Sequence, residues 1–144
     1  MVEDDTIKLL RECDAGVKMG LSSINEVVGD VESEMLSNIL KKSREKHEKL
    51  DSDVTEILHE YHDEGREPTP MAKGMSWMKT NMKMAMEHSD ATIADLMTDG
   101  CNMGIKSLRR YLNQYPAAER RVKGIAEELI SVEQDMVDEM KAYL

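Results

Sequence analysis

The chain has no phenylalanine, one tryptophan and four tyrosines among 144 residues, so aromatic side chains supply little of any core. Proline is nearly missing as well. Pro68, Pro70 and Pro116 leave long stretches without a helix breaker. The only two cysteines, Cys13 and Cys101, stand too far apart in sequence to suggest a zinc-ligand spacing, and one pair makes no disulfide framework. Reduced thiols are expected. Basic residues are scarce: 19 Lys and Arg against 29 Asp and Glu give a formal charge of −10. That balance excludes a nucleic-acid surface built on clustered cations. No apolar run approaches the roughly 18–20 residues needed to span a bilayer, which excludes a membrane span. The acidic opening Met1-Val2-Glu3-Asp4-Asp5 resembles neither a signal peptide nor a transit peptide, so a cytoplasmic location is expected.

What is present is helical spacing in one domain over 1–144. A first helix is predicted over 3–28, with Ile7, Leu10, Val17, Leu21, Ile24 and Val28 on one face and Asp14 filling one slot of that stripe. Gly29 is expected to cap it. A second helix, 32–64, carries Leu36, Leu40, Ser43, His47, Leu50, Val54, Ile57 and Tyr61 at alternating 4-3 spacing. Gly65 follows, then the stiff Glu67-Pro68-Thr69-Pro70 link. A connecting helix is predicted over 70–87, with Thr69 as its cap and Pro70 in its first turn. Helices over 90–114 and 116–143 complete the chain. The former is lined by Ile93, Met97, Cys101, Gly104, Leu108 and Tyr111. The latter is lined by Val122, Ile125, Leu129, Val132, Met136, Met140 and Tyr143.

The 13 methionines are the counterpart of the missing phenylalanine. Met71, Met75, Met78, Met82 and Met86 form one stripe on the connecting helix, beside Trp77. Flexible thioethers fill core gaps and also make adaptable contact surfaces. The expected partner surface is therefore the Met71/Met75/Met78/Met82 face, used by a second copy of the chain or by another protein. The same stripe also leaves open a soft Cu(I) or haem site.

A short internal repeat organises the whole. Cys13-Asp14-Ala15-Gly16-Val17-Lys18 aligns with Cys101-Asn102-Met103-Gly104-Ile105-Lys106, and the second and fourth main helices align more loosely. Short turns near 29–31 and 115–116 make two antiparallel hairpins related by a pseudo-twofold. The 65–89 connection is too long for a tight turn. Eighteen helical residues supply about 27 Å, enough with extended flanks to run back along a bundle. The expected architecture is all-α: a ferritin-like four-helix bundle of two helical hairpins joined by a long crossover that contains an additional helix, with an up-down bundle that takes the connecting helix as an ordinary fifth helix as the alternative.

On these features the chain resembles an uncharacterised bacterial family of ferritin-like four-helix-bundle domains. The resemblance rests on Cys13-Asp14-x-Gly16, the Gly65 to Pro68 break, Trp77 and Cys101-x-x-Gly104. Related ferritin-like proteins hold di-iron or di-manganese carboxylate sites. They take a Glu from each of two helices and Glu-x-x-His from each of the others. The internal repeat picks out Asp14, His47, Asn102 and Glu133 as the inner positions where such a site would stand. Asp14, His47 and Glu133 are the candidate metal residues, and Asp14 and His47 are expected to lie at one level and to hydrogen-bond. The pattern is degraded. Arg44 stands where Glu-x-x-His needs Glu, Ile130 takes the position three before Glu133, and Asn102 replaces a carboxylate. One Asp, one His and one Glu do not neutralise two cations. Glu56-Ile57-Leu58-His59, followed by His62, is a Glu-x-x-His by spacing, but Ile57 carries the apolar stripe, so its polar members are expected in solvent.

No nucleophile constellation, phosphate loop or dinucleotide fingerprint is present. The expectation is a non-catalytic ferritin-like module with a degenerate metal site and no cofactor. It acts through self-association or protein interaction. The alternative is a redox- or stress-linked ferritin-like protein with a non-standard Fe or Mn site.

Overall fold

The computed structural model describes residues 2–65 and 89–144. Four α-helices dominate these residues: α1 (Val2–Val27), α2 (Glu34–Glu60), α3 (Asp90–Gln114) and α4 (Arg120–Met140). Short 3-10 turns, Val28–Asp30 and Lys141–Tyr143, extend α1 and α4. The predicted connecting helix over 70–87, with its methionine stripe and Trp77, lies outside the described residues. No helix among the described residues is long and apolar enough to cross a membrane.

On α2, α3 and α4 the stripes read from the sequence are buried apart from their tyrosines, whereas on α1 Leu10, Val17 and Ile24 are buried, Ile7, Leu21 and Val28 are half-buried, and Thr6, Leu9, Cys13 and Val27 complete the buried face. On α2, Leu36, Leu40, Ser43, His47, Leu50, Val54 and Ile57 are all buried, as 3.6-residue periodicity requires. Ser33 caps α2 by accepting from the Leu36 amide at 3.2 Å, and Ser89 caps α3 by accepting from Thr92 at 3.2 Å. Two boundaries differ from expectation. Gly29 does not end α1 in a left-handed cap, because Gly65 is the only glycine with positive φ among the described residues. Instead the helix tightens into the 28–30 turn. Pro116 does not start α4. The Glu119 amide donates to Thr6 Oγ1 at 2.8 Å and the Ala117 amide to the Asp5 carboxylate at 2.9 Å. These bonds hold the 115–119 loop onto α1, so α4 begins at Arg120.

The end contacts fix helix direction. The start of α4 sits on the start of α1 through Thr6 and Asp5, and on the end of α2 through Tyr61, whose hydroxyl donates to Glu119. At the opposite end, the Asp90 carboxylate accepts from the Glu32 and Ser33 amides, each at 2.9 Å. Thus α1 and α4 run one way, and α2 and α3 run the other. Each of the hairpins α1–α2 and α3–α4 is antiparallel.

The core divides into two clusters along the bundle axis. One, at the Thr6–Glu119 end, gathers Leu9, Cys13, Val17, Leu50, Val54, Leu108, Val122 and Leu129. The other, at the Ser33–Asp90 end, gathers Ile24, Leu36, Leu40, Ile93, Met97, Cys101, Met136 and Met140. Met97, Met136 and Met140 thus take core volume that the absent phenylalanines leave, whereas Met35 and Met103 are exposed.

Candidate functional site: a polar layer at mid-height

Between the clusters every helix departs from aliphatic packing. Gly20 stands 14 residues in from Thr6, His47 14 before Tyr61, and Glu133 14 after Glu119. Counted from the other end, His47 is 14 residues past Ser33 and Gly104 is 14 past Asp90. At 1.5 Å per residue the four residues share a level about 21 Å from either end. The layer joins two titratable side chains, both buried, to two glycines.

Contacts inside the layer repeat in the two hairpins. His47 of α2 lies against Gly20 of α1, so closely that a Cβ on Gly20 would fall 2.5 Å from Nε2 and 2.6 Å from Cδ2. Glu133 of α4 lies against Gly104 of α3, where a Cβ would fall 2.6 Å from Oε2 and 2.7 Å from Oε1. Each glycine is the space its partner's polar side chain fills. His47 Nδ1 donates to the Ser43 carbonyl at 2.8 Å, since a carbonyl can only accept. That bond assigns the proton to Nδ1 and turns Nε2 toward α1. Burial lowers the His47 pKa, opposed by the Ser43 bond.

Glu133 is 7% exposed and its Oε2 has no hydrogen-bond partner. Burial pushes its carboxyl up to about 8 from an ordinary 4.5. The group is therefore held chiefly as the neutral acid at pH 7. The same carboxyl lies close enough to Cys101 to raise that thiol, after burial, which is the larger cause. Cys13 is pushed up to about 12 by burial, then by the charges of Glu12 and Asp14. Both thiols are free and sit in different core clusters. Thiols raised this far are poor nucleophiles at neutral pH.

Asp14 belongs elsewhere, and its expected bond to His47 is not formed. His47 lies level with Gly20, six residues and about 9 Å further along α1. Two causes displace the register. The 28–30 turn keeps rising before the chain reverses, and side chains on α2 lean toward its N-terminus, hence toward the turn. Asp14, 1% exposed, instead accepts from Lys18 Nζ at 3.0 Å and meets the chain as it leaves α2. Gly65, at φ 81°, presses against Asp14 Oδ2 and Leu58 with no room for a Cβ. Arg11 holds the same segment by donating to both oxygens of Asp63 at 3.1 and 2.6 Å, which keeps the Asp63 carboxyl below its ordinary range. Asp63 also accepts the Gly65 amide at 2.9 Å. Nearby, Asp51 has a buried oxygen without a partner, and its carboxyl is raised by burial and by Asp14, with Lys18 opposing. The Asp14 segment and the Gly65 break, apart in sequence, are thus two sides of one lock. Gly65→Ala should destabilise the protein by roughly 2 kcal/mol, combining a strained positive φ with overlap on a buried carboxylate. Urea midpoints of the two proteins measure it.

Of the other candidates, Asn102 is exposed. It stands one residue past Cys101, turned about 100° away from the Cys101–Gly104 side that α3 buries. Asp14 holds the matching place on α1 yet is buried, because the 63–65 segment folds over it. Glu56, His59 and His62 are exposed, as the Ile57 stripe requires.

A carboxylate-bridged pair of metal ions needs several carboxylates at one level. The layer supplies Glu133 alone, Gly20 and Gly104 offer no donor, and Asp14 sits more than a turn away. The residues present do not fit such a centre. Among the described residues no group of three or more His, Cys, Asp or Glu side chains is placed to hold a metal ion. No family model matches the chain, and no curated protein or solved structure matches it.

Proposed function

We propose that this protein is a ferritin-like four-helix bundle that has given up the metal chemistry of that architecture and works by association, with a second copy of itself or with another protein. The direction of the helices supports the architecture: α1 up, α2 down, α3 down, α4 up, the order of a bundle with one long crossover. The observation that carries the functional reading is the mid-height layer. Where a carboxylate-lined bundle would place acid on all four helices, this one places glycine on two of them and packs the remaining polar side chains onto those glycines. The layer is filled by its own residues.

Chemistry of other kinds has little to work with. Two thiols raised by burial and a histidine whose Nδ1 is bonded to its own helix form no nucleophile and base pair. The association surface is proposed on the Met71/Met75/Met78/Met82 face, outside the described residues. The test is elemental analysis of protein purified without chelators, together with its mass by light scattering. The expected result is less than about one-tenth equivalent of iron or manganese and a mass of two chains or more in complex. Stoichiometric iron or manganese would overturn the reading in favour of the metal-linked, redox or stress alternative. A metal-free monomer that captures no partner would overturn the association half.

A further inference from the structure

We propose that the Gly20–His47–Gly104–Glu133 layer is a proton-operated seam, and that loss of the Glu133 proton opens the α3–α4 hairpin around Cys101 while the Cys13 end of the bundle stays closed. The geometry makes the layer the weakest level of the bundle. It separates two otherwise continuous aliphatic clusters. Its two glycines contribute no side-chain packing, and Glu133 Oε2 has no partner. A neutral carboxyl in this place costs one unmade hydrogen bond, whereas a carboxylate there is a bare buried charge that only water can solvate.

The groups facing Glu133 offer its anion no rescue. From α3 come Gly104 and Cys101, whose thiol is itself raised by Glu133. From α1 comes Gly20 at the same level, with Asp14 and Lys18 engaged with each other nearer the far end. From α2 comes His47, held neutral by burial and bonded through Nδ1. No Lys or Arg among the described residues is buried, so none reaches the layer from within the core.

Proton linkage sets the direction. In the closed layer Glu133 and His47 are both neutral, whereas in an opened, wet layer each returns to its ordinary behaviour. Below about pH 6.5 the proton that opening releases from Glu133 is offset by uptake on His47, so the pH dependence is weak there. Above about 6.5 only the release remains, and opening grows up to tenfold per pH unit until the closed layer itself ionises near pH 8.

The two cysteines report this from within one molecule. Their labelling by 4,4′-dithiodipyridine is quantified by peptide mass spectrometry from about pH 5.5 to 9, each rate divided by that of the same cysteine in urea-unfolded protein, which removes ordinary thiol ionisation. The corrected Cys101 rate is expected to change little below about pH 6.5, rise at least ~10-fold by about pH 8, then level off, and to stand well above the Cys13 rate there. In Glu133→Gln, and in Glu133→Leu as a second non-ionising variant, the Cys101 rate is expected to stay flat from about pH 6.5 to 9 and to change only below about 6.5, where His47 alone takes up a proton. Circular dichroism confirms that each is helical. Equal corrected rates at the two cysteines in the unmodified protein, as global unfolding would give, overturn the proposal, and so does a Cys101 rate that does not rise. So does the same rise in a helical variant without the carboxyl.

Discussion

Glu133→Gln is expected to stabilise the protein, and by more as the pH rises. The sign follows from where the proton sits. Unfolded, Glu133 ionises near 4.5; folded, burial holds its proton to about 8. Below the unfolded value both states bind the proton and the carboxyl costs only its unmade hydrogen bond. Between the two values folding must reclaim a proton from solvent, so stability falls continuously as pH rises through this window and levels off above about 8. Glutamine has nearly the same shape and no proton to reclaim. The difference between variant and parent should be close to zero at about pH 4.5 and reach roughly 2–4 kcal/mol at about pH 8, since each tenfold gain in proton affinity on folding is worth about 1.36 kcal/mol. Chemical denaturation across this range, at its two ends and near its middle, measures it. A difference that does not change with pH would show that Glu133 is ionised in the native protein.

Gly20→Ala should act in the opposite direction and nearly as strongly. Glycine in a helix interior ordinarily costs about 0.8–1 kcal/mol against alanine, so a free site gains from the change. Gly124, also helical, has nothing within 4 Å of a built Cβ, and Gly124→Ala is expected to stabilise by about that amount. At Gly20 the new methyl meets the His47 ring at 2.5 Å. That ring cannot swing aside without breaking its Nδ1 bond to Ser43 or entering the aliphatic clusters above and below. Overpacking of this kind costs about 1–3 kcal/mol, and the broken bond adds about 1 kcal/mol. The net expectation is a loss of roughly 2 kcal/mol in urea denaturation, relieved when His47→Ala is added. Gly104→Ala is expected to be milder, because the atoms in its way are the carboxyl oxygens at the end of a flexible side chain. Equal losses at Gly20 and Gly104 would show that the ring is not the obstacle.

The helices are legible in the sequence because their information is local. A 4-3 spacing on α2 names its buried face residue by residue, and Ser33 and Ser89 cap helices through bonds to the third residue onward. The layer is only half legible. His47 and Glu133 stand out as polar interruptions of apolar stripes, and their alignment in the repeat pairs them. Their level relative to α1 depends on how far the chain climbs before it reverses, which the 28–30 turn decides and no periodicity records. Asp14 shows the same limit. Its burial depends on Gly65, some fifty positions away, folding over it, whereas Asn102 at the equivalent place stays in solvent. The missing half has one local trace. Gly20 and Gly104 sit inside helical patterns where glycine is costly, which marks a close approach by something else.

The bonds that tie the Thr6–Glu119 end together bear on the order of folding. Each hairpin closes over a short turn, so its contacts are cheap in chain entropy and form early. The Asp5–Ala117 and Thr6–Glu119 bonds close loops of 112 and 113 residues. They bring no large apolar gain of their own and form only once both hairpins exist. Docking of the two hairpins, which closes the core over Glu133, is then the expected slow step. The refolding rate should therefore fall as pH rises from neutral toward about 8, which stopped-flow refolding across that range measures.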